Sequence, residues 1–272
     1  MPEGDSVWRV ARRLHERLSG RTVLRSDLRV PRFATVDLSG RTVVATVPRG
    51  KHLLTRLSGD VTLHTHLRMD GEWSVVRAGR RLPRRLEDEV RVRLVTDGPT
   101  AYALRMPVVE VLATSREADV VGHLGPDLLG PDWDPAEAVR RLSTPADRPL
   151  AAALLDQRNL AGIGNLWANE ICFLRGCSPW TPVGQVDLHR VVDLAHRLLR
   201  FSVSGATTGR PTAQVTTGDP RPGRSHWVAG RAGRPCLRCG TTVRVVEEVP
   251  GDAGRRRTWW CPRCQPGPGP DR

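Results

Sequence analysis

The residue types best suited to chemistry cluster at the start of the chain, at one interior position and near its end. The N-terminus reads MPEGD, so removal of Met1, which the small residue behind it permits, would expose the secondary amine of Pro2 beside the carboxylate of Glu3. An α-amine titrates at roughly pH 8, against about 10.4 for a lysine, so a useful fraction is a neutral nucleophile near pH 7. Attack by such an amine on the C1′ carbon of a deoxyribose gives a cationic iminium, which activates the neighbouring sugar C–H bonds for elimination. Glu3 is expected to protonate the sugar ring oxygen or relay protons during ring opening. Gly4 would let the chain bend tightly, and the positive end of the helix that follows would favour an ionised Glu3.

The second candidate is Lys51. Of 42 basic residues, 41 are arginine and Lys51 is the one lysine. A guanidinium is never a neutral amine and rarely changes protonation, so a single lysine in an arginine-saturated chain marks a place where an ammonium is needed. The third is a set of cysteines: Cys236 and Cys239 form one C-x-x-C pair, Cys261 and Cys264 another, with 21 residues between the pairs. Four thiolates complete a tetrahedral shell for one Zn²⁺ and leave no open position, so the metal is expected to staple a small module rather than do chemistry. TTVRVVEEV and RRRTWW flank a turn-rich PGDAG between the pairs, which reads as a β-hairpin with Arg255, Arg256 and Arg257 on its return strand, a density suited to phosphate contact. Cys172 and Cys177 lie five apart in a helical segment and read as ordinary thiols.

These groups need a scaffold, and 272 residues suffice for two cores. The formal charge of +13 is spread along the chain and favours a polyanionic partner, nucleic acid first. No apolar stretch approaches the roughly 20 residues that span a bilayer, and the N-terminus lacks a signal-peptide layout, so a cytoplasmic location is expected. Residues 5–18 place Val7, Trp8, Ala11, Leu14 and Leu18 on one helical face, with Asp5 as cap and Gly20 as stop. From about 21 to 115 short β-branched runs follow, among them 41–47, 52–57 and 61–67. The last alternates Val61, Leu63, Thr65 and Leu67 against Thr62, His64 and His66, the histidines reading as packing or DNA-facing residues without a metal role. The fold class is α+β: an N-terminal helix and antiparallel β-sandwich (1–121), a Gly/Pro/Asp-rich linker (122–135), a helical domain with a flexible loop (136–235, the loop from 204), the zinc hairpin (236–265) and a disordered tail (266–272).

MPEGD, PRGKHL around Lys51, LLDQRNLAGIGNLWANEI and the paired cysteines with RRTWWC occur in that order along essentially the whole chain. Together they resemble the formamidopyrimidine-DNA glycosylase and endonuclease VIII family, and MPEG is most similar to the actinobacterial members of the endonuclease VIII branch. The resemblance implies a helix-two-turn-helix in the helical domain, a monomer acting on damaged double-stranded DNA in the bacterial nucleoid, and removal of oxidised bases followed by β,δ-elimination. It implies Pro2 as Schiff-base nucleophile, Glu3 as general acid, Lys51 as a catalytic residue that contacts the phosphate by the lesion, Asn165 as a second contact to phosphate there, and Arg256 as the catalytic hairpin arginine that grips the extruded nucleotide's phosphates and promotes the second elimination, with Arg255 and Arg257 as its one-residue alternatives and Arg257 a DNA-binding residue. It also implies Arg68 and Met69, in HLRMDG, as the wedge that fills the hole left by the extruded nucleotide, against a buried core methionine as the alternative. A second wedge arginine is not placed, the region around Arg105 departing from the family pattern. The branch favours oxidised pyrimidines; oxidised purines, or a non-catalytic zinc-hairpin DNA-binding protein, are the competing functions.

Overall fold

The protein is described by a computed structural model over residues 2–204, 214–247 and 256–270. It forms two compact units, one made of Pro2 and Val7–His123, the other of Glu3–Ser6 and the chain from Leu124.

Helix α1 (Gly4–Leu18) buries Val7, Ala11, Leu14 and Leu18, the face expected from their spacing, while Trp8 is half-buried under the Arg12 guanidinium. Asp5 lies inside the first turn of this helix rather than ahead of it. Eight strands follow: β1 (Val23–Leu28), β2 (Val43–Arg49), β3 (His52–Leu57), β4 (Val61–His66), β5 (Glu72–Val76), β6 (Val90–Thr96), β7 (Thr100–Leu104) and β8 (Val108–Ala113). They make two antiparallel four-stranded sheets ordered β1-β6-β7-β5 and β2-β3-β4-β8. Val23, Leu28, Val92, Leu94 and Trp73 of the first sheet and Val43, Leu53, Leu57 and Leu63 of the second share one core with α1. A fully buried leucine contributes roughly 2 kcal/mol there. Trp73 keeps its indole N–H satisfied by Thr65 Oγ1 at 3.1 Å.

The alternation along β4 does not mark one wet face, because Thr62 and His64 are buried as fully as Leu63 and Thr65. A cover continues from β8 through α2 (Ala118–Val121). Arg56 makes a two-pronged bond to Glu117 at 2.9 and 2.6 Å, and Thr62 donates to the same carboxylate at 2.7 Å. Polar side chains can be buried at this face because each has a partner.

The second unit holds α3 (Pro135–Leu142), α4 (Leu150–Leu155), α5 (Asn165–Arg175) and α6 (Leu188–Val203) around a core of Leu142, Leu154, Trp167, Ile171 and Leu199. Asp134 and Asp187 accept backbone N–H bonds as N-caps of α3 and α6, and Gly176 ends α5 in the left-handed region at φ 68°. The stretch read as a linker is packed from Leu124 to Leu128, with Asp127 bridging to Ala161 and Gly125 N–H donating to Gln157 O. Residues 214–235, read as loop, are anchored: the buried Glu170 of α5 accepts N–H bonds from Trp227, Val228 and Ala229, each at 2.9 Å. A hairpin of β9 (Arg244–Val246) and β10 (Thr258–Trp260) closes the unit. Its PGDAG turn and Arg255 lie outside the described residues, as do Met1, residues 205–213 of the loop and the last two residues of the tail.

Candidate active site and metal centre

Glu3 is fully buried in the second unit, and both carboxylate oxygens are engaged at the start of α5. Gly164 N–H donates to it at 2.7 Å, Leu166 N–H at 2.7 Å and Trp167 N–H at 3.3 Å. The helix end that serves Glu3 is therefore that of α5, in addition to the start of its own helix; orphan N–H groups and the dipole make such an end a natural carboxylate seat. The glycines on both sides are there for space. A Cβ on Gly164 would sit 2.4 Å from Glu3 Cδ, and one on Gly4 would sit 2.8 Å from Gly162 Cα, where Gly4 N–H donates to Gly162 O at 2.8 Å. Gly4 thus serves close backbone approach rather than a bend. Asp5 accepts from Ser202 Oγ at 2.5 Å and from Gln214 Nε2 at 2.7 Å, which is why its carboxylate sits in the first turn and not before it.

Asn165 opens α5, and its Nδ2 donates to Arg257 O at 2.8 Å. Asn169, one turn on, donates to Asn165 O at 2.6 Å and accepts from Trp259 N–H at 2.8 Å. Two asparagines spaced by one helical turn therefore dock the return strand of the hairpin on α5, bringing Glu3, Asn165, Arg256 and Arg257 into one unit. Arg256 is half-buried and Arg257 is exposed, with its Nε 3.2 Å from Glu247 Oε1.

At the base of the hairpin the sulfurs of Cys236, Cys239, Cys261 and Cys264 all lie within 4.8 Å of one another, with Cys239–Cys261 at 3.5 Å and Cys236–Cys264 at 3.9 Å. Sulfurs at the corners of a tetrahedral Zn²⁺ shell with bonds of about 2.3 Å stand about 3.8 Å apart, so the donor set fits that ion. The cluster packs on α5 through Phe173, Val228 and Val243, with the Arg238 guanidinium 4.4 Å from the Phe173 ring centre. Cys172 is fully buried and Cys177 half-buried; burial raises both thiols above their ordinary range, as inert packing residues require.

The first unit carries the remaining candidates. Pro2 is half-buried. Lys51 sits within the two-residue turn, Gly50–Lys51, that joins β2 to β3 across the Arg49↔His52 pair; Gly50 has φ 57°, as such turns demand. Arg68 is exposed in the left-handed region at φ 49°, and its N–H donates to His66 Nδ1 at 3.0 Å. Met69 is 63% exposed, which removes the buried-core reading of that residue. Arg105, unplaced from the sequence, also has a positive φ of 46°; its Nε lies 3.3 Å from Asp70 O, beside the Arg68–Met69 tip, and its guanidinium pairs with Glu89. Such backbone strain in two exposed arginines at one place is characteristic of functional loops. Neither composition nor spacing carries a signal for it.

Two histidines beside Lys51 set a pH limit on the unit. Burial first, and then neighbouring cationic or imidazole groups, pushes His52 down to about 3 and His66 to about 4. Both lie below the ordinary 6.5, so the unfolded chain binds more protons between these values. Stability is complete above about pH 6.5 and falls as the pH is lowered. Each histidine is expected to cost roughly 2 kcal/mol by pH 5. Urea midpoints should drop between pH 7 and 5, and His52→Gln should flatten that slope; an equal slope in the variant would contradict the assignment.

An N-terminal two-sheet unit followed by a helical unit and a four-cysteine hairpin defines a class of DNA-repair glycosylase architecture. The complex of Lactococcus lactis formamidopyrimidine-DNA glycosylase with DNA containing an oxidised pyrimidine shares that fold, at a TM-score of 0.79 and 23% identity over 98% of this chain and 100% of that one. Residues 1–106 match the formamidopyrimidine-DNA glycosylase N-terminal domain and residues 124–212 the H2TH domain of the same enzymes. A probable endonuclease 8 2 of Streptomyces coelicolor is 54% identical, covering 99% of this chain and 96% of its own length. The DNA-(apurinic or apyrimidinic site) lyase Nei2 of Mycolicibacterium smegmatis is 45% identical, covering 97% and 99%. The chain belongs to the formamidopyrimidine-DNA glycosylase and endonuclease VIII family of DNA-repair enzymes.

Proposed function

We propose that this protein is a bifunctional DNA glycosylase and abasic-site lyase that removes oxidised bases, pyrimidines by preference, through a Schiff base on Pro2. The observation that carries the reading is the seating of Glu3, the residue after Pro2, on the backbone N–H groups of Gly164, Leu166 and Trp167. Burying a carboxylate with three such bonds beside an ordinary frayed terminus would serve nothing; beside an amine nucleophile it supplies a fixed proton-handling group.

The Pro2 nitrogen attacks C1′, the base departs with the glycosidic electron pair, and the sugar ring opens to an iminium. Loss of a C2′ proton then expels the 3′ phosphate, and a further elimination expels the 5′ phosphate, leaving phosphates on both flanking strands. Lys51, Asn165, Arg256 and Arg257 hold the phosphates around the extruded nucleotide, and the exposed Met69 with Arg68 and Arg105 fills the gap in the duplex. One Zn²⁺ on Cys236, Cys239, Cys261 and Cys264 holds the hairpin that carries Arg256 and Arg257. The enzyme acts as a monomer at the cytoplasmic nucleoid; among the described residues no helix is long and apolar enough to cross a membrane.

The preference for pyrimidines rests on MPEG and on the endonuclease 8 names of the relatives. Duplexes carrying thymine glycol, dihydrouracil or 8-oxoguanine, cut side by side, test it. The two pyrimidine lesions are expected to be excised at least about tenfold faster, a difference of about 1.4 kcal/mol in transition-state binding, with 3′- and 5′-phosphate ends on the products. Faster release of 8-oxoguanine would assign oxidised purines instead.

A further inference from the structure

On the face of the β2-β3-β4-β8 sheet that Glu117 caps through Arg56 and Thr62, the side chains of His52, His64 and Glu110 form a continuous chain that the proposed chemistry does not use. His64 Nδ1 lies 2.8 Å from Glu110 Oε2, and His64 Nε2 lies 2.8 Å from His52 Nδ1. The carboxylate can only accept, so His64 carries its proton on Nδ1 and presents Nε2 as an acceptor. His52 must then carry its proton on Nδ1, which leaves its Nε2 as a lone pair. His66 is set the opposite way, since its Nδ1 accepts from Arg68 N–H and its proton is therefore on Nε2. The His52 ring meets both His66, at 4.7 Å, and His123, at 6.2 Å, in edge-on geometry.

The groups around this chain come from every neighbouring element of the unit. They are Arg49 opposite His52 on β2, Lys51 in the turn, His64 and His66 on β4, Arg68 beyond it, Glu110 on β8, and Glu117 and His123 from the covering segment. Arg68 acts as a cation on both His52 and His66 and Lys51 acts on His66, whereas Glu110 stands behind His64. An anion placed at the turn end opposes the field that these cations exert on His52 and His66.

We propose that Glu110, His64 and His52 form a proton-uptake relay for the Lys51 end of the site: when a DNA phosphodiester seats against Lys51, His52 gains a proton that Glu110 stabilises through His64. One solvent proton goes to His52 Nε2, the Nδ1 proton stays shared with His64 Nε2, and the added charge is balanced through the His64–Glu110 bond. Glu110 and His64 are positioning residues, and His52 is a further phosphate-side residue of the site. The inference rests on the proposed DNA function and on Lys51 contacting phosphate.

The test is binding of a duplex with a tetrahydrofuran abasic analogue, by fluorescence anisotropy from pH 5.5 to 8.5, with proton uptake read by calorimetry in buffers of different ionisation enthalpy. With His52 held at about 3 in the free protein and raised to about 6 beside a bound phosphate, the wild-type Kd is expected to fall roughly fourfold between pH 7.5 and 5.5, with uptake of about three-quarters of a proton per duplex at the lower pH. Glu110→Gln and His52→Gln should each lose most of that dependence, while ¹⁵N imidazole spectra of the free wild-type protein should show His52 and His64 as Nδ1–H tautomers. A variant that fails to fold leaves the wild-type uptake and the tautomers to decide. Tight binding with pH-independent Kd, or variants that keep the wild-type slope, would overturn the relay alone; no binding at any pH would overturn the DNA reading with it.

Discussion

Pro2→Gly is expected to abolish strand cleavage at an abasic site and to end covalent trapping of the protein on damaged DNA by borohydride, which reduces an iminium to a stable amine. The loss should be about three orders of magnitude or more in cleavage rate, about 4 kcal/mol. A glycine terminus retains an amine, but a primary one: its Schiff base is cationic only when protonated, whereas the iminium of a secondary amine is cationic without any proton. The pyrrolidine ring also ties the amine nitrogen to its own side chain, so the nucleophile is presented by a stiff residue joined to one that is anchored by three backbone bonds. A second variant separates chemistry from binding. An N-terminal extension that acylates the Pro2 nitrogen should leave lesion-DNA affinity within a fewfold of wild type yet give no trapped adduct and no cut. A non-catalytic DNA-binding protein would show no trapping in the wild type either. Normal cleavage by the glycine variant, or by protein retaining Met1, would remove the nucleophile assignment.

What can be read from the residues is local. The buried stripe of α1 follows from the spacing of Val7, Ala11, Leu14 and Leu18, and the cysteine cluster follows from two C-x-x-C pairs; in both, the information lies within a few residues or in ligand type. Strands β2, β3 and β4 are joined by short turns and are equally plain. Pairing at long range is not legible. MPEG and GIGN each stand out as a motif, but nothing in either tells that Gly4 and Gly162 touch, or that Glu3 binds N–H groups more than 160 positions away. The expected partner, the start of α1, is simply the nearest one in sequence. The histidine relay is hidden for the same reason. Glu110 meets His64 only because β8 pairs with β4 across three intervening strands, an order that no hydrophobic pattern encodes. The stretch around Leu124–Leu128 reads as a linker because Gly, Pro and Asp signal turns, and a turn-rich segment is as easily packed as open.

Removal of the metal should cost function through the hairpin alone. Among the described residues the hairpin strands are three residues each, too short to hold a fold by themselves, and the module's apolar contacts with α5 centre on Phe173, Val228 and Val243. A structural Zn²⁺ in a small module supplies on the order of 10 kcal/mol of apparent binding energy, far more than those few contacts offer. Cys261→Ser, at the most buried of the four ligands, is therefore expected to release β10 from Asn169 and Arg257 O from Asn165, and with them the placement of Arg256. Lesion-DNA affinity should fall at least about a hundredfold, about 2.7 kcal/mol. The core around Trp167, Ile171 and Leu199 draws on α3 to α6 and not on the hairpin, so the main thermal transition should survive with a smaller shift than the loss of binding implies. Elemental analysis should find one zinc per wild-type chain and none in the variant. A wild-type protein without zinc that still cuts abasic DNA at full rate would show that the four thiols hold the hairpin unaided.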